Sequence, residues 1–171
     1  MSLYGSRSEH GLHCLLLLTR TSEDECISSR DIADFLGLSL SFVRKLMTAL
    51  EGGNLIGARS GRNGGFYLRR DPRDISVLEV IEILEPNKHV FSCQEIRQRC
   101  ALFDDGIPKW VTERACEISS VFIQAEKALF NELRNTTLDD IGTAFLNKAP
   151  PEFETKSIAW FDTRGAQIGS K

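Results

Sequence analysis

Residues 55–68 read LIGARSGRNGGFYL, two short and mostly apolar runs separated by a segment rich in glycine and arginine. Gly61, Gly64 and Gly65 can adopt the positive φ angles of a tight turn, so the stretch predicts a β-hairpin. A glycine-rich loop with arginines can also bind a nucleotide phosphate, but no Walker lysine follows and no strand-to-helix transition is evident. The pattern therefore favours a wing that contacts DNA. Its candidate contact residues are Arg59, Arg62 and Asn63.

Two short amphipathic helices come before the hairpin. Ser28 and Asp31 have the spacing of a helix cap, and the helix that they begin is expected to stop at Gly37. Ser39 can cap a second helix that runs to about Glu51, and this order of helix, tight turn, helix and hairpin predicts a winged helix-turn-helix. The second helix would enter the major groove with Ser39, Ser41, Arg44 and Lys45. The alternative is that these four residues only cap and solvate the helix.

Charge is distributed unevenly along the chain. The formal net charge of −3 gives no overall sign of nucleic-acid binding, but residues 44–73 contain seven basic and only two acidic residues. Such a run usually means a solvated face, and here it coincides with the second helix and the wing. The local excess of positive charge therefore supports double-stranded DNA as the partner of this region.

The second half of the sequence predicts a long helix. Apolar residues recur at alternating spacings of three and four from Pro108 to about Arg134, a pattern typical of a helix–helix seam. A helix of about 27 residues is about 40 Å long, more than a small domain needs. We therefore predict a homodimerisation helix, and packing within one chain is the alternative. The seam residues are Val111, Ala115, Ile118, Phe122, Ala125 and Leu129.

These patterns together predict a mainly α fold with a small β-hairpin. The expected segments are a winged helix-turn-helix (1–72), a linking helix with a cysteine-bearing loop (73–107), a dimerisation helix with a short following helix (108–147) and a flexible tail (148–171). No apolar run approaches the roughly 20 residues that span a membrane, so a cytoplasmic protein is expected. In that reducing compartment the five cysteines are expected to be thiols or metal ligands rather than disulfides.

Four features follow one another in this chain: an amino-terminal helix, the helix-turn-helix, the wing SGRNGGFYL at 60–68 and the segment ISVLEVI at 75–81. In this order they resemble the Rrf2 family of bacterial transcription regulators, over about residues 4–146. Members of this family include an iron–sulfur cluster regulator and a nitric-oxide-sensing repressor. The resemblance implies a homodimeric DNA-binding regulator, usually a repressor of a pseudo-palindromic operator, and not an enzyme.

Many family members hold an iron–sulfur cluster on three closely spaced cysteines. Here Cys93 and Cys100 are separated by six residues, and fifteen more separate Cys100 from Cys116, which falls on the predicted long helix. The segment CQEIRQR that begins at Cys93, together with Glu9 and His13, is similar instead to a redox-sensing branch in which two cysteines, a histidine and a carboxylate hold a [2Fe-2S] cluster. The resemblance thus implies Glu9, His13, Cys93 and Cys116 as ligands, with Cys100 as an alternative third thiolate to Glu9.

The ligands that the resemblance implies are chemically compatible with one metal site. Glu9 and His13 lie one helical turn apart, so both side chains project from the same helix face, and a histidine in place of a thiolate makes ligation depend on proton binding. The operator affinity would then follow the redox state or presence of the cluster. Two alternatives remain open. One is a cluster-free regulator that senses through cysteine thiols; the other is an iron–sulfur oxidoreductase, against which the chain has no Cys-x-x-Cys pair and no nucleotide fingerprint.

Overall fold

The computed structural model describes residues 3–21, 24–61, 64–103 and 105–166. Within them the chain is mainly helical with one two-stranded antiparallel sheet, as the sequence predicts. In chain order the elements are α1 (Ser6–Leu18), α2 (Ser29–Leu36), α3 (Leu40–Gly52), β1 (Ile56–Arg59), β2 (Gly65–Leu68), α4 (Val77–Leu84), α5 (Lys109–Thr112), α6 (Glu117–Asn135), α7 (Leu138–Leu146) and α8 (Pro151–Asp162). Of the helices described, none is both long and apolar enough to cross a membrane.

The helix-turn-helix is formed by α2 and α3 and by the caps predicted for them. The Ser28 Oγ accepts a hydrogen bond from the Asp31 N–H at 3.1 Å, and the Ser39 Oγ accepts one from the Phe42 N–H at 3.3 Å. Gly37 ends α2 with a φ of 66°, a left-handed conformation that glycine adopts without a Cβ clash. The turn between the two helices is therefore set by local sequence.

The wing pairs β1 with β2 in antiparallel register, starting with Ile56 opposite Leu68. Ile27, just before α2, exchanges two backbone hydrogen bonds with Phe66 of β2, at 2.8 and 3.1 Å. A Cβ on Gly65 would lie 2.5 Å from the Ile27 backbone, so the close approach of these two segments requires glycine at that position. The wing is thus fastened to the start of the helix-turn-helix.

The core lies between α1, the helix-turn-helix and α4. Leu15, Leu50 and Val80, from α1, α3 and α4, are all fully buried. The helices α1 and α4 approach so closely that a Cβ on Gly11 would lie 2.1 Å from the Leu84 side chain. Helix α4 therefore holds α1 against the DNA-binding unit.

The first residue after α4 fixes the start of α1. The Glu85 carboxylate accepts hydrogen bonds from the Gly5 N–H at 2.9 and 3.0 Å and from the Ser8 hydroxyl at 2.7 Å. Burial raises the pKa of Glu85, but the hydrogen bonds from Ser8 and Gly5 outweigh burial, so this pKa lies below its usual value. The ionised carboxylate thus ties α1 to the beginning of the segment that carries Cys93.

The single long helix predicted for residues 108–134 is wrong. The chain forms a short α5 and then α6, and Cys116 is the N-cap of α6 rather than a residue inside a longer helix. The Arg97 guanidinium donates a hydrogen bond to the Arg114 carbonyl at 2.5 Å, whereas a continuous helix would join that carbonyl to the Ile118 N–H. That N–H instead acts on the Cys116 thiol, whose pKa it lowers. Tertiary contacts therefore divide the predicted helix.

The apolar face of α6 stays largely exposed in the described part of the chain. No residue of α6 is buried there, and the exposed fraction is 62% at Ile118, 66% at Val121 and 38% at Phe122. Ala125 is also exposed, and Leu129 is half-buried. An exposed apolar face of this kind is typical of a surface that another chain covers. Two of the predicted seam residues lie outside α6, Val111 in α5 and Ala115 in the break between the two helices.

The C-terminal tail, predicted to be flexible, instead forms α8 and packs on the core. Phe161 is fully buried and stacks on Phe35 of α2, with ring centroids 4.9 Å apart. Arg20, two residues after the end of α1, forms an ion pair with Glu154 of α8 at 2.7 Å. Aromatic burial overrides the polar composition from which flexibility was predicted, and residues 167–171 lie outside the described ranges.

Candidate functional site

The exposed face of α3, the recognition helix, carries the four residues predicted to contact DNA. Ser39 is the N-cap of α3, and its hydroxyl oxygen lies 3.5 Å from that of Ser41. Arg44 and Lys45 are exposed, and neither forms a salt bridge among the described residues. The opposite face is buried through Val43, Leu46, Met47 and Leu50. Helix α3 therefore presents hydroxyl groups and cations outward from one end.

The tip of the wing is described in part. Arg59 is exposed, and its guanidinium lies 3.3 Å from the Asp24 carboxylate. The other two predicted wing contacts, Arg62 and Asn63, lie outside the described residues. The structure thus places one of the three wing residues, next to the loop that precedes α2.

Besides Arg59, two more of the seven basic residues counted between positions 44 and 73 are paired with nearby carboxylates. Arg70 pairs with Glu79 at 2.6 Å, and Arg73 pairs with Asp71 at 2.6 Å. These carboxylates raise the pKa of both guanidinium groups, chiefly through the side-chain hydrogen bonds. More of the positive charge available to DNA therefore lies on the recognition helix than on the segment after the wing.

Cys93 and Cys116 are brought together by the fold. The Cys93 side chain is near enough to the Cys116 sulfur, at the start of α6, to help lower the pKa of that thiol. Cys93 Sγ also lies 3.6 Å from Glu95 Oε1 and accepts a hydrogen bond from the Glu95 N–H at 3.5 Å. Both cysteines are half-buried, whereas Cys100 is exposed. One chain therefore forms a pair of adjacent, partly accessible thiols.

The N-terminus of α6 favours the ionised form of Cys116. The Ser119 N–H and the Ile118 N–H donate hydrogen bonds to its sulfur and lower its pKa, while burial opposes them and the charge of Arg97 adds to the lowering. Arg97 also donates to Glu95 at 3.0 Å and holds the pKa of that carboxyl below its usual range. The paired thiols thus lie beside a cation and a helix terminus, which both stabilise a thiolate.

Glu9 and His13 are exposed on α1, one turn apart. They do not join the cysteine pair. Within the residues that the structure describes, no group of three or more histidine, cysteine, aspartate or glutamate side chains is close enough to hold a metal ion. The ligand set implied by the resemblance is therefore divided within one chain, with the two thiols together and Glu9 and His13 apart from them.

His10, which the resemblance left out of the ligand set, joins α1 to the recognition helix. Its ring packs edge-to-face on Phe42 of α3 with centroids 5.4 Å apart. Its Nδ1 atom is buried and has no hydrogen-bond partner in the described part of the chain. Because Glu9 directly precedes His10, a displacement of α1 at Glu9 would act on α3 through this contact.

Glu95 and Arg97 belong to the site although sequence reasoning did not name them individually. Arg97 lies between the Glu95 carboxylate and the Arg114 carbonyl, and its charge acts on Cys116. The signal in the sequence was their position shortly after Cys93 in a segment with two arginines. Nothing in that spacing indicates that the arginine reaches the start of α6.

A sequence model of the Rrf2 family, described as iron-dependent transcriptional regulator, matches residues 4–144. The HTH-type transcriptional regulator NsrR of Shouchella clausii is 26% identical over 136 residues, which cover 80% of this chain and 85% of that protein. Protein rrf2 of Nitratidesulfovibrio vulgaris is 27% identical over 136 residues, which cover 80% of this chain and 84% of the relative. The residues matched by the family model include α1, the winged helix-turn-helix and α6, and end before α8.

A solved structure shares the fold. CymR, described as the global cysteine regulator of B. subtilis, is similar with a TM-score of 0.66 at 20% sequence identity, over 84% of this chain and 98% of CymR. The regulators that this chain resembles are transcription factors rather than enzymes. Because the family match spans most of the chain, this protein belongs to the Rrf2 family of winged-helix transcriptional regulators.

Proposed function

We propose that this regulator binds a pseudo-palindromic operator as a homodimer, acts as a repressor, and has an operator affinity controlled by a [2Fe-2S] cluster. The observation that carries the proposal is the adjacent pair of Cys93 and Cys116, with Cys116 at the N-terminus of α6. Thiolates are soft ligands that suit iron–sulfur clusters. A lowered thiol pKa favours the ligating form, because the ligand must lose its proton to bind the metal.

The donor set fits a cluster once a second chain is included. Four protein ligands hold a [2Fe-2S] cluster, and Cys93 and Cys116 supply two from one chain. Glu9 and His13 of a second copy supply the other two, since both are exposed on α1. Cys100 is exposed as well and stays the alternative to Glu9.

Dimerisation through α6 provides a route for this assembly. Helix α6 begins directly after Cys116 and exposes Ile118 and Val121 in its first turns. A second copy that covers this apolar face therefore also approaches the cysteine pair. The same contact forms two equivalent cluster sites, because a two-fold symmetric interface places each chain's α1 opposite the other chain's cysteines.

Ligation and DNA binding are linked through the position of α1. A bound cluster supplies one-electron redox chemistry at this place. Within the chain, Glu85 fastens the N-terminus of α1, and His10 contacts Phe42 on the recognition helix. As ligands, Glu9 and His13 would restrain the exposed side of α1. A change of ligation would then alter the placement of α3. It controls transcription only if the protein binds the operator with different free energies in the two ligation states.

The recognition helix and the wing take different parts in DNA binding. Ser39, Ser41, Arg44 and Lys45 lie on the exposed side of α3, where side chains reach base edges and phosphates. In a dimer, two such helices occupy successive turns of the major groove, which is why a pseudo-palindromic operator is expected. The wing contributes phosphate contacts through Arg59, Arg62 and Asn63.

The test is anaerobic purification, followed by analysis of iron and sulfide, visible absorption and DNA binding. The operator is first selected from random duplexes. We expect about two irons and two sulfides per chain, because a symmetric dimer has two equivalent sites, and different operator affinities for the oxidised, reduced and iron-free forms. A colourless, iron-free protein from anaerobic cells contradicts the cluster, and equal affinities of the three forms contradict the switch.

A second candidate is a cluster-free regulator that senses oxidants through the same two thiols. The adjacency of Cys93 and Cys116 favours it, because two neighbouring thiols can form a disulfide while two protons and two electrons pass to an oxidant such as hydrogen peroxide. Mass spectrometry of iron-free protein before and after peroxide identifies the linked peptides. A Cys93–Cys116 disulfide that lowers operator affinity supports this candidate, and oxidation confined to Cys100 contradicts it.

A further inference from the structure

A cavity of about 330 Å³ lies between α1, α2, α7 and α8, on residues other than the paired cysteines. Its walls are mainly aliphatic and aromatic side chains. They include Leu17, Leu36, Ile141, Phe145 and Phe153. The volume falls within the range of small-molecule sites, roughly 300 to 1,000 Å³. The cavity is therefore large enough for a molecule and not merely a packing defect.

Helix α8 supplies one wall of the cavity and lies beyond the residues matched by the family model. Ring stacking and ion pairs are among the contacts that hold it in place. Phe161 stacks on Phe35, Arg20 pairs with Glu154 at 2.7 Å, and Arg164 lies 3.8 Å from the Asp31 carboxylate. The C-terminal helix α8 thus completes a cavity whose other walls come from α1, α2 and α7.

The polar groups of the lining are largely engaged with the protein. The Thr19 hydroxyl donates to the Leu16 carbonyl at 2.8 Å, and the Ser157 hydroxyl donates to the Phe153 carbonyl at 2.8 Å. The Arg20 guanidinium is neutralised by Glu154. Two further lining residues carry ionisable groups: Asp139, which lies within electrostatic reach of Arg73, and His13, which is exposed. The lining therefore offers little net charge to an ionic ligand.

We infer that this cavity binds an uncharged small molecule of aromatic or hydrocarbon character. Water is poorly held in an apolar cavity, and an empty one forfeits the dispersion contacts that a ligand would restore. Phe145 and Phe153 are 49% and 38% exposed with rings 5.4 Å apart, so the interior is accessible between them. Phe35 and Leu36 form the wall on α2, so a bound molecule touches the helix-turn-helix directly.

The test uses the full-chain protein and the uncharged fluorescent probe N-phenyl-1-naphthylamine. Gly142→Leu fills the cavity, because a Cβ at Gly142 would contact Leu16 at 3.8 Å and both residues line it. Leu146→Trp fills it from a partly exposed position, where added bulk does not endanger folding. Ala159→Leu, on the exposed side of α8, is the control that adds comparable bulk away from the cavity.

Wild-type protein and Ala159→Leu should bind the probe saturably at a single site per chain, and toluene should displace it. Each filling variant should weaken probe binding by about tenfold or more, with circular dichroism unchanged. Absence of saturable binding to the wild type overturns the inference, because the cavity then does not accept a small apolar molecule. Occupation of the cavity by a second copy or by another part of the chain would give this result. Equally tight binding by the two filling variants overturns it as well. Neither result depends on iron.

Discussion

The DNA-binding unit and the proposed sensor differ in how much of each a single chain assembles. The helix-turn-helix and wing, residues 28–68, are formed by caps, one glycine turn and a hairpin made by neighbouring residues, and the pairing of Ile27 with Phe66 is the longer-range contact that joins them. The proposed sensor draws on α1 and on the start of α6, and of its four predicted ligands the described part of one chain brings only Cys93 and Cys116 together. Local sequence therefore specifies much of the DNA-binding unit, whereas the proposed sensor depends on distant segments and, in the proposal, on a second copy.

Two cysteines of the chain, Cys14 and Cys116, also differ in what the fold places around them. Cys14 is fully buried in α1, and burial raises the pKa of its thiol to about 12, which keeps it protonated and inert. Cys116 lies at a helix N-terminus beside Arg97, and its pKa is lowered. Residue type is identical in the two cases, so the chemical role is decided by the surroundings that the fold provides.

The largest effect is expected from breaking the sensor at Cys116. Cys116→Ser should abolish cluster absorption and bound iron, because a serine hydroxyl does not replace a thiolate as a soft ligand. Folding should persist, since Cys116 is only half-buried, and thermal unfolding monitored by circular dichroism checks this. Iron content and the visible spectrum are measured after anaerobic purification.

Cys100→Ser is the matched control for that experiment, because Cys100 is exposed and separate from the pair. It should keep the wild-type iron content. If Cys116→Ser also keeps its iron, Cys116 is not a ligand. If both variants lose it, Cys100 replaces Glu9 as the third thiolate, and Glu9→Gln should then leave the spectrum unchanged.

A second large effect is expected from breaking the output unit at Gly65. A Cβ there would lie 2.5 Å from the Ile27 backbone, so Gly65→Ala forces the wing away from the segment before α2. We expect the free energy of unfolding to fall by about 2 kcal/mol. Urea denaturation measures it. Gly52→Ala is the control, since nothing lies within 4 Å of a Cβ at Gly52, and equal losses in both variants would refute the argument from close approach.

The parts of the fold that could be predicted are those made by nearby residues. The caps of Ser28 and Ser39 and the turn at Gly37 depend on groups within one helical turn, so their residue types reveal them. The break before α6 depends on Arg97 reaching the Arg114 carbonyl, and apolar periodicity carries no information about such a contact. Periodicity therefore predicted one helix where two exist.

The C-terminal tail and the paired cysteines likewise could not be predicted from nearby residues alone. Polar composition predicted a flexible end, but α8 is held by Phe161 meeting Phe35 far away in the sequence. The pairing of Cys93 with Cys116 followed from the family resemblance and not from their spacing. Long-range packing decides both, and it is not encoded in any short window of residues.

A medium effect is expected when the charge of the recognition helix is removed. Arg44→Ala should weaken operator binding by about tenfold and lower the salt dependence by about one counterion, as expected for a lost phosphate contact. Arg73→Ala is the control, because its guanidinium is already paired with Asp71. Fluorescence anisotropy across a salt series measures both. The same loss in the two variants would mean that the basic segment acts only through its total charge.

The smallest effect is expected at the link between the two regions, where Glu85 caps α1. Because the folded-state pKa of Glu85 lies below its usual value of 4.5, its ionised form stabilises the fold above about that pH. This contribution is lost as the pH falls through the lowered folded-state pKa. Glu85→Gln should therefore reduce the free energy of unfolding at pH 7 by about 1 kcal/mol and flatten its decline below pH 4.5. Urea titrations at several pH values measure both effects. The control is Glu82→Gln, exposed on α4, which should change neither the free energy of unfolding at pH 7 nor its decline at low pH. An unaltered pH profile in Glu85→Gln would show that the cap does not depend on the charge of Glu85.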